Sequence, residues 1–318
     1  MIRLTRAGAT VTARAPAKLN LFLEILGKRP DGFHELETLM TTVAIYDHLQ
    51  LASHAGNEIE LAASWGLGYQ AQAQASLSRG EPSVWEPLPS GPNNLVFRAL
   101  SKLRELTGEE RGVTVTLVKQ IPAAAGLGGA SSDAAAAILA GNLFWNLQLP
   151  HEQLLAIANS LGSDIAFFMN ESLPAVTAAV CRGRGERVEA VRNLPSLPCV
   201  VVRPPAGLAT PAVFRSCRPS LQPRSVEPLV AALQAGRIAE AGGLLHNGLQ
   251  AAACELSPWV ARLKQLFDQF AVAGHQMSGS GTTYFALCQH SRQARQLAGR
   301  LRQAGVGAVF STRTAATN

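Results

Sequence analysis

The chain has 318 residues, 47% of them apolar and 16% charged, with a net charge of +6 and a pI near 9.4. That length predicts two domains, each able to bury its own core. No apolar run approaches the roughly 18 residues of a membrane span, and no apolar block follows Arg3 and Arg6 as it would in a secretory leader. The cysteines at 181, 199, 217, 254 and 288 are odd in number, widely spaced and never in a Cys-x-x-Cys pair. They point to reduced thiols in a cytoplasmic protein, and away from a disulfide framework or a zinc site. The basic balance contains no long run of basic residues and little aromatic interleaving, so a nucleic-acid or membrane partner is not expected. A mildly basic cleft for polyanionic small molecules suits it equally well. Lysine occurs only at 18, 28, 102, 119 and 264, which makes each one informative.

In chain order, residues 10 to 26 alternate as strands do, with Lys18 and Asn20 on one face. That face is read either as an exposed edge or as the wall of a cleft. Lys28-Arg29-Pro30-Asp31-Gly32 is a turn, after which Phe33 and His34 restart structure. Residues 64 to 92, with repeated Ala-Gln followed by Ser, Gly and Pro, predict a loose insertion remote from the chemistry. Asn94 to Leu106 has helical spacing and stops at Gly108.

The most informative stretch follows the apolar strand Gly112 to Val118: Pro122, Ala123, Ala124, Ala125, Gly126, Leu127, Gly128, Gly129, Ala130, Ser131 and Ser132, opening into an alanine-rich helix from Ser131 to about Leu147. Glycines let backbone amides converge on an anion, and the helix adds its free amides and positive dipole end. Strand, glycine loop and helix make a phosphate cradle or, equally, a tight connection. The loop lacks the Gly-Lys-Ser/Thr of a Walker motif and the chain lacks protein-kinase signatures. The glycines also lie too deep in the chain, and outside any βαβ rhythm, for a dinucleotide fold.

Farther on, a helix from about His151 to Leu161 ends at Gly162, and Ser163 caps an apolar helix Asp164 to Met169. Asp164 in that first turn is explained by the helix dipole as readily as by chemistry. The second half is set to begin near 175, with a hairpin from 176 to 191 turning at Gly183-Arg184-Gly185, then a strand Cys199 to Arg203 and helices around 226–250 and 258–270. Gly279, Ser280 and Gly281 form a second glycine-serine loop, either an anion nest or a hinge, before a strand Tyr284 to Cys288, a helix 291–304 and a last strand Gly307 to Ser311. This order reads as an α+β sandwich of the ferredoxin-like sort.

Three segments in this order, Pro16-Ala17-Lys18-Leu19-Asn20, Pro122 to Ala135, and Ser278-Gly279-Ser280-Gly281, resemble the family of small-molecule kinases named for galactose, homoserine, mevalonate and phosphomevalonate. The match spans nearly the whole chain. The resemblance implies an α+β architecture of an N-terminal ATP-binding domain (1–174) like a ribosomal protein fold and a C-terminal ferredoxin-like domain (175–318). It implies Lys18 and Asp164 as a catalytic pair, 122–132 as the ATP phosphate loop with Lys119 and Asn94 nearby, and ATP with Mg²⁺ as cofactors. Ser131 or Ser132 is then a metal or phosphate contact. The blocks Arg-Pro-Asp-Gly-Phe-His-Glu-Leu and Leu-Gly-Ser-Asp-Ile-Ala-Phe-Phe are similar to members that act on a cytidine-diphosphate-linked methylerythritol. They imply Asn20, Phe33, His34 and, less securely, Thr210 as substrate contacts, with phosphorylation of the 2-hydroxyl as the reaction. The chain departs from the common pattern at Ala130, where a third glycine is usual, and at Phe33, where tyrosine is. Alternatives are another kinase of the family or a non-catalytic nucleic-acid binder; the expected assembly is a monomer or homodimer.

Overall fold

The computed structural model describes residues 1–79, 85, 87–169 and 177–317. Its spine is a pair of long strands, β2 (Thr10–Lys28) and β3 (His34–Ser53), paired antiparallel from Val11 opposite Leu51 to Lys28 opposite His34. β1 (Arg3–Ala7) flanks β2, while β5 (Val113–Lys119) and then β4 (Ile59–Trp65) extend the sheet beyond β3. Val11, Ala13 and Ala15 of β2 face a helical layer made by α2 (Leu95–Thr107), α3 (Gly129–Phe144), α4 (His151–Leu161) and α5 (Ile165–Met169). Ala134 to Ala137 are fully buried there. Their small side chains let α3 lie close to the sheet, and Gly141 admits α2, since a Cβ on it would come within 2.8 Å of Leu100 and Leu103.

Burial of β2 changes character along its length. From Ala15 to Ile25 every residue is buried, because the second half of the chain covers the other face. This cover is a four-stranded sheet in the order β10 (Gly274–Met277), β11 (Tyr284–Leu287), β8 (Pro198–Arg203), β12 (Ala308–Arg313), all antiparallel. With β8 first in the chain and β12 last, this is the ferredoxin-like arrangement that the element order predicts. Alternation along β8 sends Cys199 and Val201 toward Ala17, Leu19 and Leu21 of β2, and Val200 and Val202 toward the helices α10 (Pro258–Phe267) and α11 (Ser291–Gln303). The intervening helices are α6 (Thr210–Ser216), α7 (Glu227–Gln234), α8 (Ile238–Gly243) and α9 (Gln250–Leu256), with β9 (His246–Asn247) pairing with β2.

Several boundaries differ from expectation. The division at 174/175 and the start of a strand at 176 lie outside the described residues. The hairpin that follows, β6 (Ala178–Gly183) and β7 (Arg187–Ala190), pairs with β3 and so extends the first sheet. The tail returns as well: Val43 bridges Thr314, and the Thr317 N–H donates to the Leu194 carbonyl. Helix α3 starts at Gly129 and ends at Phe144, while Asp164 precedes a five-residue helix instead of opening it. Among the described residues no helix is long and apolar enough to cross a membrane, and all five cysteines are unpaired.

The largest departure is the stretch 64–92, expected to be loose. As far as it is described, it holds the end of β4 and a helix, α1 (Leu67–Arg79), and it is anchored by aromatic rings. Trp85 is 5% exposed, stacks on Tyr69 at 4.0 Å and meets Trp65 edge-on at 5.1 Å. Composition favoured a loop here because alanine, glutamine and serine carry little apolar signal; three rings supply the burial instead. Residues 80–84 and 86 of this stretch lie outside the described residues. Trp85→Ala is expected to lower the denaturant midpoint by an amount equivalent to about 3 kcal/mol and to strip hydrogen-exchange protection from α1; a loose insertion would leave both unchanged.

Candidate active site

Lys18 and Asn20 sit mid-strand on β2 with only 4% and 3% exposure, so their polar groups must be satisfied internally. Lys18 Nζ donates to Asn20 Oδ1 at 2.6 Å, and Asn20 Nδ2 donates in turn to Thr38 Oγ1 at 2.8 Å. The Lys18 ammonium also lies 3.4 Å from Asp164 Oδ2, whose side chain is 36% exposed. Two residues 146 positions apart are thus joined at one point, as the family resemblance implies.

The glycine loop reaches the same point. The Lys18 N–H donates to the Leu127 carbonyl at 2.9 Å, tying loop to strand. Gly128 has φ +69°, and a Cβ there would stand 2.9 Å from Lys18 Cγ and 3.1 Å from the Phe168 ring. Gly126 has φ +73°, and its Cβ would fall 2.3 Å from the Ser278 carbonyl. Glycine is required at both for approach and for backbone conformation. Ala130, by contrast, lies in the first turn of α3 with negative φ, so the missing third glycine costs nothing. The second loop is not free-standing: the Ser278 hydroxyl donates to the Gly126 carbonyl at 3.1 Å, and Asn247 Nδ2 donates to the carbonyls of Met277 and Gly279. It is a wall packed on the first loop, and Ser280 Oγ lies 2.8 Å from Thr210 Oγ1.

Together these pieces enclose a cavity of about 560 Å³, lined among others by Lys18, Gly128, Ser131, Asp164, Thr210 and Gly279. Phe33 and His34 do not line the cavity themselves: Phe33 is 54% exposed beneath the Arg184 guanidinium, and the His34 ring packs against Phe214 at 5.2 Å. Burial, with the charge of Lys28 second, holds His34 below its ordinary value, so its ring is neutral at physiological pH. Phe214, one turn beyond Thr210 on α6, and Arg184 from the β6–β7 turn also line the cavity. Neither was picked from the sequence, where a lone phenylalanine in a short helix and an arginine in a glycine turn are commonplace.

Three expected nucleotide contacts are placed otherwise. Ser132 is fully buried in α3, and it is Ser131 that faces the cavity, so Ser132 is not positioned for a metal. Asn94 is the N-cap of α2: its Oδ1 accepts from the Val96 N–H at 2.9 Å, and its Nδ2 donates to the Pro89 carbonyl. Lys119 lies beneath the loop, clamped between the carboxylates of Asp47 and Asp133. Asp47 also accepts from the N–H groups of Gln120 and Ile121, the entry to the loop. Burial alone would favour a neutral Lys119, but the charges of Asp133 and Asp47 outweigh it and raise its pKa. Burial, reinforced by the charge of Asp47, pushes Asp133 up to about 8 against the pull of Lys119. One ammonium cannot neutralise two buried carboxylates, and Asp133 Oδ1 accepts no bond, so the extra proton belongs on Asp133. Among the described residues no group of three His, Cys, Asp or Glu side chains is arranged to hold a metal ion.

A carboxyl raised by folding stabilises the fold at low pH and loses that contribution as pH climbs through the folded pKa. Wild-type stability should therefore fall relative to Asp133→Asn between the ordinary carboxylate range and about pH 8. Paired melting curves at pH 5 and pH 8.5 check this, and equal pH dependence in the two proteins would contradict it. Gly128→Ala should displace Lys18 and abolish turnover, measured beside an unchanged circular-dichroism spectrum.

Comparison with known proteins gives a consistent result. The profile of the GHMP kinases N terminal domain matches residues 94–172, and that of the GHMP kinases C terminal matches 229–307. A 4-diphosphocytidyl-2-C-methyl-D-erythritol kinase of Pelotomaculum thermopropionicum is 37% identical over 295 residues, covering 92% of this chain and 94% of the relative. One from Rhodopirellula baltica is 37% identical over 308 residues, covering 93% and 92%. A crystal structure of 4-(cytidine 5'-diphospho)-2C-methyl-D-erythritol kinase superposes with a TM-score of 0.74 at 30% identity, covering 99% of both chains. A homoserine kinase from Cytophaga hutchinsonii, 18% identical with a TM-score of 0.69 and covering 99% of this chain and 97% of its own, shares the fold. By its sequence, its two-domain architecture and its small-molecule kinase relatives, the chain belongs to the GHMP kinase family, in the group of the 4-diphosphocytidyl-2-C-methyl-D-erythritol kinases.

Proposed function

We propose that this cytoplasmic kinase transfers the γ-phosphoryl group of MgATP to the 2-hydroxyl of 4-diphosphocytidyl-2-C-methyl-D-erythritol, in the non-mevalonate route to isoprenoid precursors. The observation that carries the reading is the Lys18–Asp164 pair, 3.4 Å apart at the floor of a cavity. The glycine loop and Phe214 line that cavity, and the Phe33 and His34 rings lie against its lining residues Arg184 and Phe214.

Phosphoryl transfer needs alignment and charge neutralisation more than covalent participation by the protein. The amides of 126–129 and the N-terminus of the sixteen-residue α3 receive the β- and γ-phosphates. Lys18, fixed by Asn20, offers its remaining N–H to the γ-phosphoryl oxygens. The Ser131 hydroxyl is the side chain that would hold Mg²⁺, a sparse protein share that suits an ion bound mainly by phosphate and water. The metal supplies charge neutralisation on the phosphate oxygens. Asp164 orients the acceptor hydroxyl and takes its proton as the oxygen bonds to phosphorus and the bond to the ADP oxygen breaks. In a loose transition state the proton leaves late, so a weak but well-placed base suffices. Phe33 stacks on the cytosine ring and the neutral His34 bonds to its edge; the phenolic bond a tyrosine would add is absent.

Asp164→Asn and Lys18→Ala should each reduce kcat by about 10²–10⁴-fold while still binding ATP, read by single-turnover assays and nucleotide titration. Near-normal turnover in either variant would refute the assigned role. A labelled-ATP panel of alcohols should show transfer to the cytidine-diphosphate-linked methylerythritol and little to methylerythritol alone; equal rates would remove the substrate assignment.

A further inference from the structure

Two polyanions must share the cavity under the reading just given, yet among its lining residues only Lys18 and Arg184 are basic. Lys18 is bound to Asn20 and Asp164 at the phosphoryl-transfer end, which leaves the diphosphate of the acceptor without a countercharge unless Arg184 supplies it. Lys28 lies toward His34 and not in the cavity lining, and the arginines near Phe33 and Arg184 in the chain are engaged. Arg29 pairs with Asp31 and Glu35, Arg182 with Glu37 and Glu189, and Arg187 with Glu35. Among the described residues the Arg184 guanidinium makes no ion pair within 4 Å, its charge reaching only the Asp31 carboxylate that Arg29 already holds. It lies over the face of the exposed Phe33 ring, 4.8 Å from the centroid.

The turn that carries Arg184 is built to aim it inward. Gly183 and Gly185 take φ of +77° and +113°, and the Arg184 N–H donates to Glu186 Oε2 at 2.6 Å. A Cβ on Gly185 would stand 3.7 Å from Asp164 Oδ1, so the turn passes directly beside the acid of the pair. A guanidinium at this station is within a side-chain swing of both ends of a ligand that stacks on Phe33 and reaches toward Asp164. Its planar fork also matches phosphate oxygens two at a time.

We infer that Arg184 is a specificity-determining residue for the acceptor: it covers the Phe33 ring in the free enzyme and turns onto the diphosphate when cytosine takes its place on that ring. The inference rests on the proposed acceptor. It assigns the preference for a diphosphate-linked substrate to one side chain on the β6–β7 turn, with no part in holding ATP.

The test compares wild type, Arg184→Ala and Arg184→Lys in steady-state kinetics, and in calorimetric titration with cytidine 5'-diphosphate and with cytidine. Arg184→Ala should raise the acceptor KM by about tenfold or more, with the ATP KM within about twofold and the melting temperature unchanged. Affinity for cytidine diphosphate should fall in parallel and that for cytidine only slightly, so the ratio of the two collapses. Arg184→Lys should recover part of that ratio, as a point charge without the fork. An Arg184→Ala enzyme that keeps the wild-type ratio overturns the inference and leaves the functional reading standing. A wild-type enzyme that turns over other alcohols but not this acceptor overturns the reading, and the inference with it.

Discussion

The site exists because the glycine loop's backbone comes closer to its neighbours than any side chain would allow. Gly128 lets the loop close on Lys18, and Gly126 lets the second loop close on the first. Each contact brings together segments that are remote in the chain, and each is then locked by a hydrogen bond: Lys18 N–H to Leu127, and Ser278 Oγ to Gly126. Positive φ at both glycines means that an alanine would be strained even where space could be made. The geometry of the candidate site is therefore set by the loop's backbone before any ligand arrives.

Two buried lysines illustrate how the same group serves opposite ends. Lys119 is enclosed by two carboxylates, one of which also gathers the N–H groups of Gln120 and Ile121. Its charge is consumed in holding the base of the loop, and removing one partner from such a cluster typically costs about 3–5 kcal/mol. Lys18 has one amide oxygen and one partly exposed carboxylate, and its environment opens on the cavity. Burial alone does not separate scaffold from chemistry; what separates them is whether the donors are all spent inside the protein.

The aromatic insertion adds a further support. Ala123, at the start of the loop, packs against the Trp65–Trp85 cluster, which also touches Phe310 of β12. A segment set aside on composition thus braces the loop from outside, and links it to the last strand of the second sheet.

Much of the site was legible in the chain itself. Glycines between a strand and an alanine helix and a rare lysine in an apolar strand are local patterns that follow from backbone sterics and propensity, whereas the blocks around Phe33 and Asp164 were legible only through the family resemblance. The ferredoxin-like order of the second sheet was equally readable from its succession of elements. Tertiary packing alone decided that Ser131 and not Ser132 faces the cavity, that Lys119 is spent on Asp47 and Asp133, that the 178–190 hairpin joins the first sheet, and that Arg184 looks inward. The physical reason is the same in each case: which face of a helix, which partner of a charge and which sheet edge a strand meets are properties of neighbours distant in sequence, and no window of residues contains them.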